Sequence, residues 1–166
     1  EQVHRIRVIV TKLLQFARPG EFAGYVEEVD VNAVFADCLV LAQHHLGKRR
    51  VEVDTRFAAT QPVRINRQEL QQVLINLIVN AVQAMPEGGR LTLRTEDRAG
   101  ADGAAGVQLS VRDTGPGIPP EHLPRVFDPF FTTKKNQGTG LGLSISHSLI
   151  KRYGGSIVAG SLPGQG

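Results

Sequence analysis

The sequence predicts an α+β fold: a two-layer sandwich in which one mixed β-sheet carries helices on one face. Three segments repeat apolar residues at helical spacing, near 32–46, 67–85 and 141–153. Between them lie segments in which apolar and polar residues alternate, near 51–57, 91–93 and 107–111. No internal repeat runs through the 166 residues, so a solenoid is not expected.

Residues 1–17 read as a separate helix. Val3, Ile6, Val10, Leu13 and Ala17 alternate at spacings of three and four, the seam of a helical bundle. Arg18-Pro19-Gly20 stops it, and 19–28 reads as a linker. The helix from about Asn32 to Leu46 has Asp30 or Asn32 as cap and Gly47 as its end. Val51, Val53, Thr55 and Phe57 then alternate as a strand, and Val63-Arg64-Ile65 follows as a short one. Asn66 with Glu69 three residues on opens the next helix, which runs to about Met85 before Pro86-Glu87-Gly88-Gly89 turns the chain. Two strands follow around Leu91–Leu93 and Val107–Val111, joined by the Gly/Ala-rich stretch 99–106. A last helix spans about Leu141 to Tyr153, Gly154-Gly155 ends it, and Ser156 to Leu162 reads as the start of a further strand. Gly164-Gln165-Gly166 is turn-like, and a pairing strand is expected beyond it.

Composition narrows the function. With 41% hydrophobic and 21% charged residues the chain reads as an ordinary soluble domain. No run approaches the roughly 18 apolar residues of a membrane span, and residues 1–5 lack a signal-peptide core. The single cysteine, Cys38, rules out an intrachain disulfide, points to a reducing cytoplasmic setting, and has no histidine at zinc-ligand spacing. The net charge is +3, and the only tight basic groups are Lys48-Arg49-Arg50, Lys134-Lys135 and Lys151-Arg152. Without a basic stripe or interleaved aromatics, neither nucleic-acid binding nor membrane contact is expected.

Chemistry concentrates in four segments. On the 67–85 helix, Leu70, Leu74, Leu77, Ile78, Ala81 and Met85 share the core face. Glu69, Gln72, Asn76, Asn80 and Gln83 form a second stripe, either a solvated face or a row of amides offering oxygen to a hard cation and N–H to phosphate. Asp113-Thr114-Gly115-Pro116-Gly117-Ile118 follows a strand. It is either a plain turn or an aspartate awaiting an exocyclic amine, with glycines leaving room for a flat ligand. Phe127-Asp128-Pro129-Phe130-Phe131-Thr132-Thr133-Lys134 reads equally as an aromatic-docked lid or as a loop packed on the core. Gly138-Thr139-Gly140-Leu141-Gly142-Leu143 opens the last helix, where free N–H groups suit a phosphate. It is neither a Walker A loop nor a dinucleotide fingerprint.

Asn76-x-x-x-Asn80, Asp113-x-Gly115-x-Gly117, Phe127-x-x-Phe130 and Gly138-x-Gly140-x-Gly142 stand in the order and approximate spacing of the N, G1, F and G2 boxes. Over about residues 29–166 the chain thus resembles the catalytic ATP-binding domain of a sensor histidine kinase of the nitrogen-regulator type. That places it with the Bergerat-fold (GHKL) ATPases, which include gyrase B, MutL and Hsp90. Residues 1–18 resemble the end of the second dimerisation helix.

The resemblance implies a set of roles. Asp113 would read the adenine amino group, with Gly115, Gly117 and Ile118 lining the base pocket. Asn80 would hold Mg²⁺ against the phosphates of ATP, with Asn76 in support. Gly138, Thr139, Gly140, Leu141, Gly142 and Leu143 would close over the phosphates, and Thr133 and Lys134 would reach the γ-phosphate. Gln83 departs from the basic residue often found there. The hydrolytic branch typically carries glutamate at the Asn76 position; asparagine cannot take a proton at neutral pH, which suits transfer rather than hydrolysis. None of His4, His44, His45, His122 and His147 sits in a phosphoacceptor motif, so a chain with these residues alone is expected to bind Mg·ATP without phosphorylating itself. The implied partners are the dimerisation domain of the same protein, itself a homodimer, and a response regulator. Two other readings stand beside this one: a serine kinase of the anti-sigma type and a nucleotide-switched interaction module.

Overall fold

The computed structural model describes residues 25–99, 103–133 and 138–166. The helix expected over 1–17, most of the linker, and Lys134 lie outside the described residues. The elements in order are β1 (Glu27–Val29), α1 (Val31–Lys48), β2 (Val51–Phe57), β3 (Val63–Ile65), α2 (Arg67–Ala84), β4 (Gly89–Ala99), β5 (Ala105–Arg112), a 3₁₀ turn (Leu123–Arg125) and α3 (Gly142–Arg152). They form an α+β sandwich. β2 and β4 pair in parallel and β4 and β5 antiparallel, giving the expected mixed sheet, while β1 and β3 form a separate two-stranded ribbon.

Alternation builds the interface between the layers. Leu91, Leu93 and Thr95 of β4 are buried in turn, and Val34, Phe35, Cys38, Leu70, Leu74 and Ile78 of α1 and α2 join the same core. Phe35 stacks on Phe57 with ring centres 5.5 Å apart. The core face of α2 is as expected except that Leu77 is only half-buried and Val73 and Val82 are fully covered. Its opening is also as the sequence indicates, with Asn66 Oδ1 accepting from the Glu69 amide at 3.0 Å.

Several local expectations need correction. Glu27 and Glu28 belong to β1 rather than to a linker, because Val29 pairs with Val63 and is buried in the core. Asp30 is the cap of α1, accepting from the Asn32 amide at 2.9 Å. Asn32 instead fastens α1 to the sheet: its Nδ2 donates to Ala59 O at 2.9 Å and its Oδ1 accepts from the Thr95 hydroxyl at 2.5 Å. α1 continues through Gly47, and Arg50 takes the left-handed conformation (φ 50°), because Val51 must at once enter register with Gly89. Ser156–Leu162 forms no strand. Its backbone finds no ladder among the described residues, and the Leu162 amide donates to Gly166 O at 2.8 Å, closing a tight turn instead. The end of α3 is as expected: the Gly154 amide bonds to Lys151 O and the Gly155 amide to Ile150 O, each at 3.0 Å, with Gly154 left-handed.

Candidate functional site

Helix α2 joins the motifs. Near its middle, the Asn76 carboxamide meets α3: Nδ2 donates to Ser146 Oγ at 3.1 Å. A Cβ on Gly142 would run into that carboxamide, which would have to move aside. Two turns later, the C-terminal end of α2 meets the Asp113 loop. A Cβ on Gly115 would lie 2.8 Å from Ala84 O and 2.8 Å from Asp113 Oδ1. Asn80 lies one turn from Asn76 and one turn from Ala84, half-buried, with no side-chain hydrogen bond among the described residues.

The Asp113 loop is braced from within. Asp113 Oδ1 accepts from the Gly115 amide at 2.9 Å, which orients the carboxylate and leaves Oδ2 without a hydrogen bond among the described residues. Thr114 Oγ1 accepts from the Arg90 amide at 3.0 Å, tying the loop to β4. From outside, the tail folds onto the loop. The Ile118 amide donates to Ser161 Oγ at 2.7 Å, and the Gly164 amide to Pro116 O at 2.8 Å. Gly117 is left-handed (φ 79°), and a Cβ there would lie 2.8 Å from Leu162 O, so the space beside it is taken by the tail.

The aromatic loop is docked through Phe127 and Phe131, a contact that both the lid and the packed-loop readings allow. Phe127 stacks on His147 of α3 at 5.1 Å, and Phe131 meets His122 at 5.5 Å and Arg125 at 4.8 Å. Phe130 is 62% exposed and left-handed (φ 67°), and its amide donates to Gly140 O at 2.9 Å. Gly140 is left-handed too, and a Cβ there would strike the Phe130 backbone. Thr133 and Gly138 are exposed; Thr139 Oγ1 accepts from the Leu141 amide at 3.4 Å. Leu141 is buried, Leu143 half-buried, and no side chain caps the first turn of α3.

The structure thus brings Gly142 to Asn76, and separately the Asp113–Gly115 turn to Ala84, two points on the single helix α2. Sequence reasoning missed Ser146, Thr114 and Ser161. Ser146 lies one turn beyond Gly142, and that spacing puts it on the same helix face. Glu69, at the start of the amide stripe, is not part of the site, because its carboxylate accepts from both Arg152 and Tyr153 and locks α2 to α3. The Glu69 bond raises the Arg152 pKa; burial first, and then that bond, raises the Tyr153 phenol. A shallow depression of about 290 Å³ lined by Gln61, Asp97 and Gly106 lies at the opposite end of β5 from Asp113.

The model of the family described as histidine kinase-, DNA gyrase B-, and HSP90-like ATPase matches residues 65–166. The chain belongs to this family. Among its relatives, the sensor kinase CckA of Brucella abortus (strain 2308) is 38% identical over all of this chain and 18% of its own length. Sensor histidine kinase ZraS of Escherichia coli (strain K12) is 34% identical over all of this chain and 34% of its own. The chain therefore spans about a fifth to a third of the length of these curated relatives. Among solved structures, the catalytic domain of histidine kinase ThkA superposes with a TM-score of 0.69 at 34% identity, covering 78% of this chain and 82% of that one. Full-length ShkA, solved with AMPPNP, gives 0.80 at 30% identity, covering 97% and 34%. ThkA was also solved with the response regulator protein TrrA, with a TM-score of 0.70 at 29% identity, covering 93% and 42%. Fold class and family are those the sequence pointed to: this is a histidine kinase-type catalytic ATPase domain.

Proposed function

We propose that this domain binds Mg·ATP along α2 and, within its whole protein, serves the transfer of the γ-phosphoryl group to a histidine. The observation that carries the reading is the single helix whose middle faces the uncapped start of α3 and whose end faces the Asp113 loop. In this reading Asp113 Oδ2 accepts from the adenine amino group, and Gly115, Gly117 and Ile118 shape the base end. The first-turn amides of α3, with Gly138 to Leu143, receive the phosphates as an uncapped helix start can. Thr133 and Lys134 approach the γ-phosphate.

The donor set suits Mg²⁺ carried by the nucleotide. Among the described residues no three His, Cys, Asp or Glu side chains gather at one point. Asn80 offers one amide oxygen, and phosphates and water would complete the shell. When bound, the ion neutralises phosphate charge.

Asn76, whose amide nitrogen donates to Ser146 Oγ, cannot itself take a proton from water at neutral pH. The domain therefore preserves ATP until a nucleophile arrives. The histidine nitrogen forms the new bond to phosphorus, the bond to the ADP oxygen breaks, and ADP leaves. The acceptor histidine lies on a dimerisation helix of the same, homodimeric protein, residues 1–18 being the end of the second such helix. A response-regulator aspartate receives the group next, in the cytoplasm. The kinase names of the relatives favour histidine over serine as acceptor and catalysis over a passive module. Among the described residues no helix is long and apolar enough to cross a membrane.

Calorimetric titration with a non-hydrolysable ATP analogue and Mg²⁺, beside Asp113→Ala, tests the reading. Saturable binding that the substitution abolishes is expected. A folded chain that takes up no nucleotide would overturn it.

A further inference from the structure

Ser146 is 2% exposed, and a buried hydroxyl needs a partner. Among the described residues its hydrogen bond is the one from Asn76 Nδ2 at 3.1 Å. The same carboxamide rests against Gly142, one turn earlier on α3, where a side chain of any size would displace it. Asn76 is thus held at two points, by a hydroxyl on its amide nitrogen and by a backbone without a Cβ beside its oxygen. Such neighbours narrow the rotamers open to a carboxamide and tie its orientation to α3.

We propose that Ser146 is a positioning residue that anchors the Asn76 carboxamide to α3. The anchor couples the placement of the amide pair on α2 to the phosphate-facing start of α3. This rests on the proposed nucleotide site, and it goes beyond it in naming what orients the first asparagine. Ser146 itself reaches no ligand and acts through Asn76. Loss of the hydroxyl leaves the fold intact and frees the carboxamide. The cost then falls on Mg²⁺-dependent nucleotide binding, where the amide pair acts, rather than on recognition of the base.

Two measurements on the full chain test the proposal. The first is the side-chain amide resonance of Asn76, identified by its loss in Asn76→Asp. In Ser146→Ala it is expected to shift and to exchange with water at least tenfold faster, and in Ser146→Thr to stay as in the native chain. The second is affinity for a non-hydrolysable ATP analogue with and without Mg²⁺. Ser146→Ala is expected to lose three- to tenfold with Mg²⁺ and less than twofold without it, with Ser146→Thr restoring the native value. An Asn76 amide unchanged in Ser146→Ala would overturn the anchor. Equal losses with and without Mg²⁺ would overturn its role in positioning. Should the native chain bind no nucleotide, the nucleotide-site reading and the positioning role fail together, and the amide resonance still decides the contact.

Discussion

The Phe130 amide donates to the Gly140 carbonyl at 2.9 Å, and both residues are left-handed, with φ of 67° and 66°. This bond closes the two ends of the segment between them. It holds a phenylalanine in a conformation that costs an ordinary residue about 1–2 kcal/mol. Glycine normally destabilises relative to alanine, and at this position the order is expected to invert. Phe130→Gly should exceed Phe130→Ala in stability by about 1 kcal/mol in urea denaturation. Alanine as the more stable of the two would show that the strain is relieved elsewhere.

Gly142 has no spare room on the Asn76 side. Gly142→Ala should displace the carboxamide and lower affinity for a non-hydrolysable Mg·ATP analogue at least tenfold, about 1.4 kcal/mol or more. The urea midpoint should move little, since alanine is the better helix former. Calorimetry beside denaturation separates the two effects.

The link between α2 and α3 through Glu69 is sheltered, its side chain 13% exposed and that of Arg152 26%. Glu69→Ala should cost about 1.5–3 kcal/mol, the usual worth of hydrogen bonds to a charged group. The Asp37–Arg67 pair is an open contrast, at 55% and 40% exposure. Asp37→Ala should cost less than about 1 kcal/mol. Equal losses for the two variants in denaturant titrations would contradict this ranking.

Cys38 lies in the core, and burial, aided by the Asp37 carboxylate and opposed by Arg67, pushes its thiol from 9.0 up to about 11. The unfolded thiol ionises first as pH rises, so the unfolded chain binds fewer protons and stability falls between pH 9 and 11. Below that window the thiol contributes no pH dependence. Cys38→Ala should lack this alkaline decline, so its stability deficit against the native chain should shrink from pH 8 to pH 10. A constant deficit would refute the shift.

Asp97 works in the opposite direction. The Thr60 hydroxyl, then the Gln61 and Thr60 amides, hold its carboxyl below the ordinary 3.8. Its contribution is fully present above 3.8 and is lost as pH falls through the lower folded value. The native chain should therefore lead Asp97→Asn in stability at pH 6, and the lead should close towards pH 3. A lead that persists in acid would show that the hydroxyl and amides favour neither form.

Much of this was legible in the chain itself. Alternation at Leu91 and Leu93 and the Asn66–Glu69 cap are local signals, and they gave elements close to those observed. The amide stripe, the Asp113 turn and the Gly138–Gly142 run each admitted a plain structural reading, and only the family resemblance of their order and spacing tied them to one site. What stayed hidden depends on distant partners. Nothing near Asn32 reveals that it bonds Ala59 and Thr95 rather than capping its own helix. Ser156–Leu162 has the composition of a strand, yet a strand exists only where a ladder receives it. Ser146 reads as an unremarkable helix residue until α2 is set beside it.

Asn76 and Ala84 lie on one unbroken helix, so the spacing between their neighbours is a matter of helical rise, about 12 Å along the axis. α2 is in effect a ruler. Gly142 is indexed at one mark and Gly115 at another, and loop substitutions on either side cannot alter the interval. Inserting one residue between the marks would turn one end by about 100° relative to the other. The interval thus tolerates substitution along the core face but not a change of length.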